Sequence, residues 1–452
     1  MATVTVSHKA CTVNPLKMSQ PIGGALAFLG LAQCMPMLHG SQGCTAFGLV
    51  LFVRHFRESI PLQTTAMNEV ATVLGGLDNI GNAILNIQKR ANPRIIGICS
   101  TGVTETKGDD VDGYLKSFQA AHPELDDLAV VYVSTPDFQD AFQDGWSKAV
   151  RNMVDALVEP TAARVAGQVN FLLGSHLTVA DIEELRDMAA AFGLRATFLP
   201  DISGSLDGHI PDDFSPNTLG GTGLDEIRTM GEAELTIAIG EQMRPAAEAL
   251  ARKTGQPYIL LERLTGLEPN DQLLDCLAQL SDAPVPEKYR RQRSQLMDAM
   301  LDGHFHFGGK RIAIGAEPDL LWTLATWLTE MGAVVATAVT TTQSPLLEQM
   351  ACQEVVIGDL EDLEARATDC DLLITHSHGR QAAEHLGIPF LRMGLPIFDR
   401  LGAAHRLTVG YRGTRDLLFE VGNLLMANTH EHHPESWPLP GGDHARSQIA
   451  VG

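Results

Sequence analysis

The sequence predicts an α/β fold of three Rossmann-like domains with mostly parallel sheets. Three observations predict it. Short β-branched runs alternate with amphipathic stretches along the chain, as βαβ crossovers and parallel sheets covered on both faces require. The 452 residues suffice for about three domains at roughly 150 residues each. With 44% hydrophobic and 19% charged residues, the composition is that of a globular chain with large cores.

The elements follow in order. "RIIGICSTG" (94–102) reads as a buried strand ending in a turn of small residues, and "LAVVYVSTPDF" (128–138) as another strand. "QVNFLLGS" (168–175) is a strand leading into "TVADIEELRDMAAAFGL", a helix capped by Thr178 with apolar residues three and four apart. "LRATFLPD" returns as a strand, and "LSDAPVPEKYRRQRSQLMDAMLD" reads as a linker and helix into the last unit. Residues 310–341 read as strand, Gly-containing turn, helix, a stop at Gly332 and strand; 371–394 repeat the scheme. Boundaries near Glu159-Pro160 and in "GHFHFGG" (303–309) divide the chain into an N-terminal domain 1–160, a second domain 161–303 and a third domain 304–428. A Pro/His-rich tail, 429–452, follows. Ligands of such sheets gather at the carboxyl ends of strands, which nominates Cys99 to Gly102, Pro136, Ser175-His176 and Gly315 to Pro318 as cleft positions.

The 33 Lys and Arg against 55 Asp and Glu leave a formal charge of −22, which argues against nucleic acid and anionic membranes as partners. No basic segment followed by an apolar core opens the chain, and no apolar run reaches the ~20 residues of a membrane helix. Seven scattered cysteines without a CxxC read as reduced cytoplasmic thiols.

Few motifs carry chemistry. "IAIGAEPD" lacks GxGxxG and reads as a strand-to-helix turn; no GxSxG or HExxH occurs, so a stand-alone hydrolase has little support. His304 and His306 in "GHFHF" share one face if extended and read as packing, whereas His376 and His378 follow a strand and read as polar cleft lining. "THEHH" (429–433) with His444 is an adventitious metal binder at most. Cys34, in an apolar helix-like run, and Cys276, Cys352 and Cys370 read as small buried hydrophobes, and Cys99 ends a strand. Cys44 differs. It follows Gly40 and Gly43, which permit unusual turns, and stands at the start of the helix "TAFGLVLFVRHF", where exposed amides favour the thiolate that binds iron or zinc.

The segment "TVNPLKMSQPIGGALAFLGLAQCMPMLHGSQGCTAFGLVLFVRHFRE" (12–58) resembles the N-terminal cluster-binding region of nitrogenase molybdenum–iron protein β chains. "STGVTETKGDD", "STPDF", "SHGRQAAEHLGIPFLRMGLPIFDR" and "VGYRG" extend the likeness over most of the chain. The chain is identified as a member of the nitrogenase component 1 family, on its cofactor-assembly branch. In the β chains three cysteines reach an eight-iron interface cluster. The corresponding positions here are Ser19, Cys44 and the stretch Ser100-Thr101-Gly102, so one thiolate of the three survives. Neither Ser19 nor Cys99 is expected to substitute.

The resemblance implies that Cys44 is this chain's metal and cofactor ligand, with no catalytic acid or base. Three cysteines of a NifE-like α-type subunit would complete a 4Fe-4S cluster shared across the interface of an α2β2 heterotetramer. The iron–molybdenum cofactor precursor would be held mainly by that partner and matured by insertion of molybdenum and homocitrate. Electrons would come from a docked nitrogenase iron protein, and the nitrogenase molybdenum–iron protein would accept the product. Gly40 and Gly43 would set the backbone at the cluster, and Arg54, His55 and Arg57 would pair across the interface or simply be solvated. The second expectation is the β-type subunit of a nitrogenase-like reductase (an alternative nitrogenase or dark-operative protochlorophyllide reductase). A third is a degenerate structural paralogue without metal.

Overall fold

The computed structural model describes residues 2–427 except 10, 13 and 75; "THEHH" and His444 lie outside the described residues. Three parallel sheets organise it. The first strand, β1 (Thr3–Val6), is set apart. β2 (Cys34–His39), β3 (Gln63–Thr64), β4 (Ile95–Ser100) and β5 (Ala129–Val133) form one sheet in the order β3-β2-β4-β5. β6 (Val165–Leu173), β7 (Arg195–Leu199), β8 (Ala233–Ile239) and β9 (Tyr258–Leu261) form the second, ordered β7-β6-β8-β9. β10 (Arg311–Gly315), β11 (Val334–Thr340), β12 (Glu354–Ile357), β13 (Leu372–Thr375) and β14 (Phe390–Arg392) form the third, ordered β1-β12-β11-β10-β13-β14.

β1, which lies within 1–160, is thus the edge strand of the third sheet, pairing Thr3 with Glu354 and Val6 with Ile357. The chain then crosses to the first sheet along a strap tied to the third unit: Leu360 N donates to Asn14 O (3.0 Å), and His376 Nε2 donates to Leu16 O (3.0 Å). Closing so long a loop costs little more than closing a shorter one, because the entropy grows with the logarithm of length. Helix Glu287–Phe307 likewise runs through the expected boundary at 303 and packs on helix Gly410–Ala427.

Helix Val179–Ala191 begins as its sequence predicts. Thr178 Oγ1 accepts from Asp181 N (3.1 Å) while Asp181 Oδ2 accepts from Thr178 N (2.9 Å), a reciprocal cap. Two local expectations fail. "GHFHF" is the last turn of helix Glu287–Phe307 and not an extended segment, so His304 and His306 diverge and His304 Nδ1 donates to Leu301 O (2.6 Å). Gly303, a weak helix former, is retained because its missing side chain admits Leu418. Cys34 is buried as expected but opens β2, because the preceding helix, Gln20–Leu29, ends at Gly30. Cys370 is also buried, whereas Cys276 and Cys352 are half-buried.

The first two units share a continuous core. Trp146, on helix Phe142–Leu157, is buried and donates from Nε1 to Leu173 O (2.7 Å) at the end of β6. Helix Gln20–Leu29 approaches helix Phe142–Leu157 at Gly23 and Gly145, where an added Cβ would overlap the backbone of Phe142 and Gln20 respectively.

Candidate cluster-binding site

β2 and β4 are paired in register up to His39 and Ser100, so the loops after them leave side by side from the carboxyl end of the first sheet. Thr101 Oγ1 donates to His39 O (2.9 Å) and fastens the two exits together. Gly40 passes so close that any Cβ there would overlap the Thr101 side chain. Close approach, not a left-handed backbone, is therefore what requires glycine at 40. Gly43 has open space around it and lies inside the first helical turn; neither demand applies to it.

Ser41 precedes helix Gln42–Phe56 at the N-cap position. Its hydroxyl makes no capping bond and lies 3.6 Å from Cys44 Sγ. Cys44 stands in the first turn, as its sequence context predicts, and is half-buried. It lines a cavity of about 480 Å³ together with Phe47 and Leu51 of its own helix, Lys17 and Ser19 of the strap, Thr101 and Asp137 of the strand exits, and His378 of the third unit.

Two of the three positions that the resemblance singles out, Ser19 and Cys44, thus meet at one cavity, and Thr101 reaches it from the stretch that holds the third. Gly102 itself opens helix Gly102–Lys107 beside Asp137, whose exposed carboxylate would have to move to admit a Cβ at 102. Cys99 is no substitute. It is buried beneath Gly24, outside the cavity lining, and burial pushes its thiol well above the usual range. Among the described residues no group of three or more His, Cys, Asp and Glu is placed to hold a metal ion. The donor set therefore fits a cluster ligated once from this chain, with further thiolates supplied from outside it.

The cations after Cys44 have partners within the chain, although Arg54 and Arg57 remain exposed. Arg54 stacks on the Phe398 ring (4.2 Å), Arg57 Nη2 donates to Phe398 O (3.1 Å), and buried His55 accepts on Nδ1 from Ile397 N (2.9 Å). All three bind the helix to the 397–398 loop of the third unit. His378, half-buried with its Nδ1 unpartnered, packs against the same Phe398 (5.2 Å); burial, reinforced by the Arg54 charge, lowers its pKa.

Sequence reasoning missed Lys17, Phe47 and Asp137 as cavity lining, and Gln20 as an anchor. Buried Gln20 donates from Nε2 to Pro136 O and Gln139 O (both 2.9 Å) and accepts from Lys148 Nζ (2.7 Å), holding Ser19 at the cavity edge. A glutamine opening an otherwise apolar helix was the available signal. The remaining strand-end positions Ser175, His176 and Glu317 line a separate cavity between the units with His55. Burial lowers His176 to about 4 and raises Glu317 to about 8, leaving both uncharged near neutrality.

The profile of the nitrogenase component 1 type oxidoreductases matches residues 19–426. The chain belongs to that family. Within it, the chain is 62% identical to the nitrogenase iron-molybdenum cofactor biosynthesis protein NifN of Bradyrhizobium diazoefficiens, covering 97% of this chain and 95% of that protein. It is 51% identical to the protein of the same name from Nostoc sp., covering 94% of this chain and 96% of that protein. A solved component 1 structure, nitrogenase Cp1 at pH 6.5, superposes with a TM-score of 0.88 at 31% identity over 95% of this chain and 96% of that one. The predicted α/β class with mostly parallel sheets agrees with that likeness.

Proposed function

We propose that this chain is the β-type subunit of the scaffold on which the precursor of the nitrogenase iron–molybdenum cofactor is matured before transfer to nitrogenase. One observation carries the proposal: Ser19, Cys44 and Thr101 of the stretch Ser100-Thr101-Gly102 line one cavity, and Cys44 is the single thiol in that lining. The names of the relatives from Bradyrhizobium and Nostoc support assembly over the reductase alternative.

In this proposal Cys44 provides one thiolate to a 4Fe-4S cluster, and a NifE-like α-type subunit of an α2β2 heterotetramer provides three. The cluster supplies one-electron transfer when bound. The chain's own contributions are structural. Helix Gln42–Phe56 sets Cys44 in its first turn, at the edge of the cavity. Phe47 and Val50, 71% and 56% exposed on that helix, offer apolar surface for the α-type subunit to cover. The precursor sits mainly in that subunit, where molybdenum and homocitrate are inserted. Electrons arrive from a docked nitrogenase iron protein, and the molybdenum–iron protein receives the finished cofactor.

The test is anaerobic co-purification with the α-type partner, with iron analysis and paramagnetic resonance on wild type and Cys44→Ala. About four irons per interface are expected for wild type, and loss of that iron and its signal for Cys44→Ala. The same signal in the mutant would overturn the assignment; about eight irons would favour an alternative nitrogenase, and reduction of protochlorophyllide in a substrate assay would favour the other reductase.

A further inference from the structure

The cavity beside Cys44 contains a cation without a counter-ion. Lys17 lines it from the strap, is half-buried, and makes no hydrogen bond or ion pair with any described residue. Three other lysines of this chain find close partners where they approach the protein body. Lys9 pairs with Asp359 (2.8 Å) and Glu361 (2.9 Å), Lys148 bonds Gln20 and Asp140, and Lys253 bonds the carbonyls of Val154 and Asp155. In a chain carrying a formal charge of −22, carboxylates are plentiful, yet none of the described ones pairs with Lys17, whose ammonium is left to meet an anion in the cavity.

The strap holds Lys17 in place. Leu16 is buried and its carbonyl is bonded by His376, while Ser19 is fixed by the neighbouring Gln20 anchors. Lys17 is thus carried between two tethered residues at the cavity that Cys44 lines. The other charged group of that lining, Asp137, packs at Gly102 among the strand exits. Arg54, farther along the Cys44 helix, is already engaged with Phe398.

We propose that Lys17 is the charge-compensating residue for the anionic iron–sulfur cluster at Cys44, and that it raises the reduction potential of that cluster. The inference rests on the cluster assignment above. A cluster held by four thiolates is anionic, and taking up one electron from a low-potential reductant makes it more so. A nearby fixed cation therefore stabilises the reduced state more than the oxidised one. The partner covering the cavity would strengthen the effect by excluding water.

The experiment is a redox titration followed by paramagnetic resonance on the complete two-chain complex, with iron analysis of every preparation. At the wild-type midpoint potential, Lys17→Met is expected to raise the ratio of oxidised to reduced cluster about tenfold, equivalent to about 59 mV for a one-electron couple. Lys17→Arg should keep the wild-type midpoint, and Lys116→Met, an equal loss of charge at an exposed position on helix Val111–Ala121, should leave it unchanged. An unshifted midpoint in Lys17→Met with its iron intact overturns the inference. Should iron be lost from both Lys17→Met and Lys17→Gln but kept in Lys17→Arg, the charge role stands. Loss from all three overturns it. Failure of the cluster assignment is separate, because it would show as Cys44-independent iron in the parent complex.

Discussion

Cys44 is informative because of what its neighbours lack. Its position at the start of a helix was legible from "HGSQGC" followed by an apolar run, and the substitution of Ser19 was legible from the family pattern. That Thr101, not Gly102, reaches the cavity was not legible, because it depends on which way a strand exit turns and on Asp137 occupying the space beside Gly102. A second residue-scale outcome concerns His176, whose two ring nitrogens are buried without partners. Burial lowers its folded pKa to about 4 from 6.5, so between those values the unfolded chain binds the extra proton and native stability falls as pH falls. Relative to wild type, His176→Leu should therefore gain about 2 kcal/mol of stability on going from pH 7 to pH 5. Urea unfolding at the two pH values checks this, and a pH-independent difference would contradict it.

At the scale of elements, helix Gln42–Phe56 divides its surface between two tasks. Phe52 and Phe56 enter the core, and Leu51 is buried at the cavity wall, while Phe47 and Val50 stay exposed. Substituting an exposed residue tests the association surface without disturbing the core. Phe47→Glu is expected to leave unfolding of the isolated chain within about 0.5 kcal/mol and to weaken association with the α-type partner by at least about tenfold, since a carboxylate would have to be desolvated. Sedimentation of the mixed chains measures the second effect; unchanged association would remove this helix from the interface. The Thr178-capped helix was legible because its cap and apolar spacing are local signals. "GHFHF" was misjudged because packing against Leu418 decides that Gly303 continues a helix instead of ending one.

At the scale of the molecule, a few buried polar contacts join the units. Asp181 is fully buried; besides capping its helix it accepts from Thr408 N (2.6 Å), Val409 N (3.1 Å) and Thr408 Oγ1 (2.9 Å) of the third unit. Asp181→Ala should cost about 3 kcal/mol, because the backbone donors it serves would stay buried without partners. Denaturant unfolding provides the measurement, and a loss below about 0.5 kcal/mol would show that this contact does not hold the units together. The strap does similar work at the opposite end of the chain, where His376 bonds a carbonyl 360 positions away in sequence.

The sequence by itself determined the alternating α/β elements and the helix start at Cys44. These are properties of local pattern and residue identity. Tertiary structure alone decided that β1 joins the third sheet, that Arg54, His55 and Arg57 grip the 397–398 loop, and that Lys17, Ser19, Cys44, Thr101 and His378 surround one cavity. Those outcomes depend on strand pairing and burial between distant segments, and neither periodicity nor spacing encodes which distant segments will meet.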